Sequence, residues 1–167
     1  PEAAAIAQSR ELEDLIRQAI DGNGGAISFA RFMKMALYEP GLGYYSGGAR
    51  KFGPGGDFVT APEISPLFSA CLARQCEQLF ELTGAATILE LGAGTGVMAC
   101  DILEFLSGRN SLPDHYYILE TSADLRQRQQ ALVRDRLPGC RDRVIWLDEL
   151  PATPVDGVVL ANEVLDA

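Results

Sequence analysis

Near the middle of the chain, Glu90-Leu91-Gly92-Ala93-Gly94-Thr95-Gly96 combines an acid with three alternating glycines. Glycine at that density permits a tight turn and lets a ligand lie close against the backbone. The run joins ATILEL (86–91), a short apolar strand bounded by glycines, to VMACDILEFL (97–106), a helix. The first N–H groups of such a helix have no partner within it and can face a polar ligand. A glycine triplet alone says little; between a strand and a helix it is a strong signal. Three more strand ends are polar. Glu120 closes YYILE (116–120), Asp148 follows RVIWL (143–147), and Asn162-Glu163 follow DGVVLA (156–161). Ligands of open α/β sheets bind outside the carboxyl ends of the strands, so these residues converge on one edge.

The spacing separates two cofactors. A dinucleotide fingerprint needs a small third residue where this chain has Val97, and an anionic pyrophosphate would be repelled by Glu90. GxGxG with an acid two residues ahead is instead the pattern of class I methyltransferases, whose S-adenosyl-L-methionine carries an ammonium that suits a carboxylate. Glu90, Gly92, Ala93, Gly94 and Gly96 are therefore expected to bind that cofactor. Glu120 is placed to accept both ribose hydroxyl hydrogens; its plainer alternative is an acid favoured by the dipole of the next helix. Leu147 and Asp148 fall where an adenine would lie, with Asp148 as acceptor for the exocyclic amine or simply a surface acid. Strand alternation sends Trp146 to the other face from Leu147, toward the core. His115, just ahead of a strand, is the single histidine, so no metal site is expected.

These residues need elements to position them. Ser9 is a candidate cap for a first helix with the stripe Leu12, Leu15, Ile16, Ala19 and Ile20, ended by DGNGG at 21–25. Ser28 caps FARFMKMALY, with Phe29, Phe32, Met33, Ala36 and Leu37 on the expected buried side. Residues 41–64 read as one long glycine-rich loop, and its four aromatics suggest an ordered lid rather than a linker. Ser65-Pro66 starts a helix to about Leu82 that buries Leu67, Phe68, Cys71, Leu72, Cys76, Leu79 and Phe80, with Gly84 to stop it. Beyond it strands and helices alternate, which implies βαβ units, a parallel sheet and right-handed crossovers. Thr121 or Ser122 caps the helix between the second and third strands. The expected fold is α/β: a Rossmann-like class I methyltransferase sheet, truncated after its fourth strand, preceded by a helical region and a glycine-rich loop. The expected division is 1–84 for helices and lid, 85–167 for the N-terminal half of the cofactor domain.

Composition narrows the function. A net charge of -9 over 167 residues argues against nucleic acid and against an anionic membrane surface. No apolar run spans a bilayer, and PEAAAIAQSRELEDL is neither a signal peptide nor an Arg-rich transit peptide. Cys71, Cys76, Cys100 and Cys140 contain no CxxC pair and are expected to be reduced and mostly buried.

ISFARFMKMALYEPGLGYYSGG, GDFVTAPEISPLF, ILELGAGTG and LANEVLDA together resemble the MidA family of S-adenosylmethionine-dependent methyltransferases, from about Ile27 to Ala167. The resemblance implies that GDFVTAPEIS (56–65) forms part of the cofactor and substrate pocket, with Asp57, Thr60, Pro62 and Glu63 matching the family segment. It implies that Asn162-Glu163 borders the methyl-transfer site. Mitochondrial members are complex I assembly factors known as protein arginine methyltransferases, which implies a protein substrate. Carboxylates would then hold a guanidinium in a bidentate pair; Glu163, Asp166 and Glu63 are the candidates. The alternative is a cofactor-binding assembly factor for a respiratory complex that acts by protein contact with little or no methylation. A nucleotide-dependent oxidoreductase is disfavoured by Val97 and Glu90. Members of the family continue beyond this point, so this chain alone is expected to be inactive, and to self-associate through its exposed fourth strand, 156–161. The implied location is cytoplasmic in a bacterium and the mitochondrial matrix in a eukaryote.

Overall fold

A computed structural model describes residues 3–47 and 59–164. The chain forms two compact units, one of Pro1–Ala49 with Ser122–Asp124, the other of Arg50–Thr121 with Leu125–Ala167.

The first unit contains α1 (Ala3–Asp21) and α2 (Phe29–Tyr38). Ser9 lies inside α1 rather than capping it, because the AAAIA run ahead of it is already a strong helix former. The α2 N-terminus is as expected: Ser28 Oγ accepts from the Arg31 N–H at 3.2 Å. Its apolar stripe is not buried, however. Phe29 and Phe32 remain 74% and 38% exposed, their rings stacked at 6.1 Å. After α2 the chain turns back on itself, with the N–H groups of Tyr44 and Tyr45 donating to the carbonyls of Ala36 and Leu37. Gln8 Nε2 donates to the Leu42 carbonyl at 3.0 Å and so ties this turn to α1. Residues 41–47 are thus an ordered turn. The middle of the expected lid, 48–58, lies outside the described residues, Asp57 included.

The second unit is built on a parallel sheet in the order β3-β2-β1-β4. Its strands are β1 (Thr87–Leu91), β2 (His115–Leu119), β3 (Val144–Leu147) and β4 (Val158–Leu160). β2 begins one residue early and takes in His115; β4 keeps only three of the six residues expected of it. The helices are α3 (Ala61–Ile64), α4 (Pro66–Thr83), α5 (Val97–Ser107) and α6 (Ala123–Arg136). α3 replaces the end of the expected loop. Pro62 sits in its first turn, where the missing N–H costs no bond. Ser65 and Gly84 bound α4 as anticipated. Ser65 Oγ accepts from the Leu67 N–H, and Gly84 closes the helix in the left-handed region at φ 74°.

Ile88, Ile102, Leu103, Leu106, Tyr116 and Ile118 form the core between the sheet, α4 and α5. Each such side chain contributes about 1.5–3 kcal/mol on leaving water. α4 buries Ala73 and Cys76, but Leu67 and Leu79 are 69% and 42% exposed and Cys71 is also exposed. Helical periodicity marks a face without guaranteeing a layer on it. Two ion-pair groups stitch the helices together. Glu77 of α4 accepts from Arg109 Nε at 2.8 Å, from Ser111 Oγ at 2.9 Å, and from Arg74. Arg136 of α6 bridges Asp101 and Glu104 of α5, each at 2.7 Å. Among the described residues no helix is long and apolar enough to cross a membrane.

Candidate cofactor site

β1 delivers the chain to the glycine turn, and Gly92 N–H continues the ladder by donating to the Leu119 carbonyl at 3.0 Å. Gly92, Gly94 and Gly96 then take φ of 63°, 56° and 82°. At Gly96, the N-cap of α5, two constraints coincide. A side chain in this left-handed region costs about 1–2 kcal/mol. A Cβ would also stand 3.1 Å from Gln129 Cγ.

Glu120 stands one residue past β2, 8% exposed. Its Oε2 accepts from Gln129 Nε2 at 3.0 Å, and the same amide nitrogen donates to the Gly94 carbonyl at 2.9 Å. Glu120 and the glycine turn, paired by spacing alone in the sequence, are thus joined by a side chain from α6. Glu90 differs. It is 1% exposed, and its Oε2 accepts from Tyr116 O–H at 2.6 Å. Burial pushes its carboxyl up to about 7; the Tyr116 bond opposes this and the nearby Glu120 charge adds to it. Burial likewise holds the Tyr116 phenol well above its ordinary range. Glu90 therefore underlies the turn rather than opening to solvent, and would act on a cationic ligand through its charge.

The remaining candidates divide. Leu147 ends β3 in register with Leu119. Asp148 is exposed, and Arg126 of α6 pairs with it while donating to the Trp146 carbonyl at 2.8 Å. Trp146 is half-buried, and its Nε1 donates to Gln129 Oε1 at 3.0 Å. Asn162 and Glu163 follow β4, with Glu163 at φ 52° and Asn162 Nδ2 at 3.5 Å from its Oε1. A Cβ on Gly92 would meet Val164 Cγ2 at 3.3 Å, so the segment after β4 runs beside the turn. Glu63 of α3 accepts from Thr95 Oγ1, while Thr60 is the N-cap of α3 without a side-chain cap bond. The structure thus brings Glu63, Glu90, Ala93, Glu120 and the three glycines around one turn, with Asn162-Glu163 alongside. Asp166 lies outside the described residues.

The sequence assigns no role to Gln129, Tyr116 or Arg126, and Thr95 stands in it only as a member of the glycine motif. Gln129 sits in the polar run RQRQQ, and nothing in its spacing sets it apart from its neighbours. Among the described residues no cluster of His, Cys, Asp and Glu could hold a metal. All four cysteines are free, and burial pushes the Cys76 and Cys100 thiols up to about 11 and about 12, so both are neutral near pH 7.

A parallel 3-2-1-4 sheet carrying this turn and an acid after the second strand defines the Rossmann-like methyltransferase class. The chain belongs to a family of S-adenosyl-L-methionine-dependent methyltransferases, which residues 71–167 match. It is similar, at 46% identity and a TM-score of 0.85, to the crystal structure of a superfamily member from Burkholderia thailandensis bound to S-adenosyl-homocysteine; 99% of this chain and 43% of that one are covered. It is 38% identical over 114 residues to the mitochondrial protein arginine methyltransferase NDUFAF7 of Danio rerio, covering 63% of this chain and 26% of that protein. It is 30% identical over 190 residues to the mitochondrial NDUFAF7 homolog of Drosophila melanogaster, covering 100% of this chain and 43% of that protein. The chain therefore spans less than half the length of these relatives.

Proposed function

We propose that this chain supplies the cofactor half of a protein arginine methyltransferase that uses S-adenosylmethionine. The observation that carries the reading is Glu120, nearly buried at the end of β2 and held against the glycine turn through Gln129. A carboxylate so placed suits the two hydroxyls of a ribose, while left-handed glycines let the aminoacyl tail approach the backbone. Gly92, Ala93, Gly94 and Gly96 would line the tail, with Thr60 nearby on α3. Leu147 and Asp148 would border the adenine. Asn162 and Glu163 would lie between cofactor and acceptor.

The cofactor supplies an activated methyl on a sulfonium; the protein's task is alignment. Carboxylates would clamp the guanidinium with one nitrogen aimed in line with the methyl. With the cofactor bound, the methyl would pass from sulfur to that nitrogen, the S–C electron pair staying on sulfur, and the clamping carboxylate would take the proton that the nitrogen releases. Glu163 is the leading carboxylate, since Glu63 is already engaged by Thr95. The NDUFAF7 names favour arginine in a protein as acceptor and mitochondria as the location in a eukaryote.

Calorimetric titration with S-adenosylmethionine and, separately, NADH tests the first step: heat from the former alone is expected. Mass spectrometry for methylated arginine in a proteome, with and without the full-length protein, tests the second. Binding without any such difference would leave a protein that acts by contact.

A further inference from the structure

Gln129 is fully buried, and its carboxamide makes three bonds with three different segments. Chemistry fixes its orientation. An indole N–H can only donate, so Trp146 must face the amide oxygen. A carbonyl and a carboxylate can only accept, so Gly94 and Glu120 must face the NH2 group. Both amide N–H bonds thus fall on the two elements assigned to the cofactor. The side chain's Cγ packs against Gly96, 3.1 Å from where a Cβ on that glycine would stand. The ends of β1, β2 and β3 are referred to one side chain. A donor held against a carboxylate favours its ionised form and fixes its plane.

We propose that Gln129 is a positioning residue for cofactor recognition. It holds the Glu120 carboxylate in the orientation that accepts a vicinal diol and ties that carboxylate to the glycine turn. It thereby sets the preference for an intact ribose. The proposal rests on the reading of Glu120 as the ribose acceptor.

The test measures affinity for S-adenosylhomocysteine and for its 2′-deoxy analogue by calorimetry. The unaltered protein prefers the intact ribose by roughly tenfold or more, as expected for a hydrogen bond to a charged group. Gln129→Met, matched in length but unable to donate, is expected to melt cooperatively and to bring that ratio close to one. Trp146→Phe removes only the third bond and is expected to keep the ratio. Where Gln129→Met does not fold, Gln129→Glu reads the same quantity. Its introduced carboxyl faces Glu120 and the Gly94 carbonyl, so the ratio should collapse at alkaline pH and recover in part under mildly acidic conditions. A folded Gln129→Met or Gln129→Glu protein that keeps the full ratio overturns the proposal. Glu120→Ala separates the two readings: if it keeps the ratio, the ribose assignment itself has failed, whereas its loss beside an unchanged Gln129 variant condemns Gln129 alone.

Discussion

Two nearly buried glutamates occupy different regions of the second unit, and their surroundings are opposite. Glu77, on α4, is met by two guanidinium groups and a hydroxyl; chiefly its bond from Arg109 holds its carboxyl down to about 2. Glu90, under the glycine turn, has one phenol for company and is pushed up to about 7 by burial. The first is a charge compensated on all sides, a stitch between α4 and the segment after α5. The second is a charge kept beneath a turn with no basic partner among its assigned interactions. Compensation of the first kind serves the fold; a carboxylate left poised near neutrality at a strand end suits a cationic ligand.

The contrast breaks most severely if the turn is filled. Gly94→Val places a branched side chain at φ 56° where the cofactor would approach, and binding of S-adenosylmethionine should be abolished in a calorimetric titration. Retained affinity would mean that the ligand lies elsewhere. Next in size is Glu77→Gln. The native carboxyl is depressed from 4.5 to about 2, so its stabilisation is present above 4.5 and lost as pH falls toward 2. The variant should melt at lower temperature near neutrality and lose that part of its acid sensitivity, as thermal melts across pH would show.

Glu90→Gln should do the reverse. The folded carboxyl is raised from 4.5 to about 7, so native Glu90 costs nothing below 4.5, and stability falls as pH climbs between those values. The variant should flatten that limb and be the more stable protein above pH 7, while binding the cationic cofactor more weakly. A limb of unchanged slope would show that Glu90 is ionised throughout. The smallest effect belongs to Asp148→Asn. Its ion pair with Arg126 is 88% exposed on the aspartate side, so chemical denaturation should shift by no more than about 0.5 kcal/mol.

Local chemistry was the legible part of this molecule. Ser28, Ser65 and Gly84 announce helix ends because each satisfies its own neighbours' backbone groups. The alternation of apolar runs showed the parallel sheet for the same reason: strands buried on both faces read as continuous. What depends on distant segments was hidden. Phe29, Leu67 and Leu79 sit on apolar stripes, yet no layer among the described residues covers them. Glu120 could be found from its strand and the turn upstream, but not Gln129, whose role comes from where α6 lies against three strand ends. Glu90 looked like a ligand-facing acid because strand-end position is visible in sequence, whereas the Tyr116 hydroxyl beside it is not.

The chain contains a single tryptophan, and its indole N–H is bonded to the amide that grips Glu120. Indole emission responds to the strength of that bond and to the polarity around the ring. A nucleoside settling on Glu120 would pull on the amide and so on the fluorophore. This chain would thus carry its own optical reporter, two hydrogen bonds from the carboxylate.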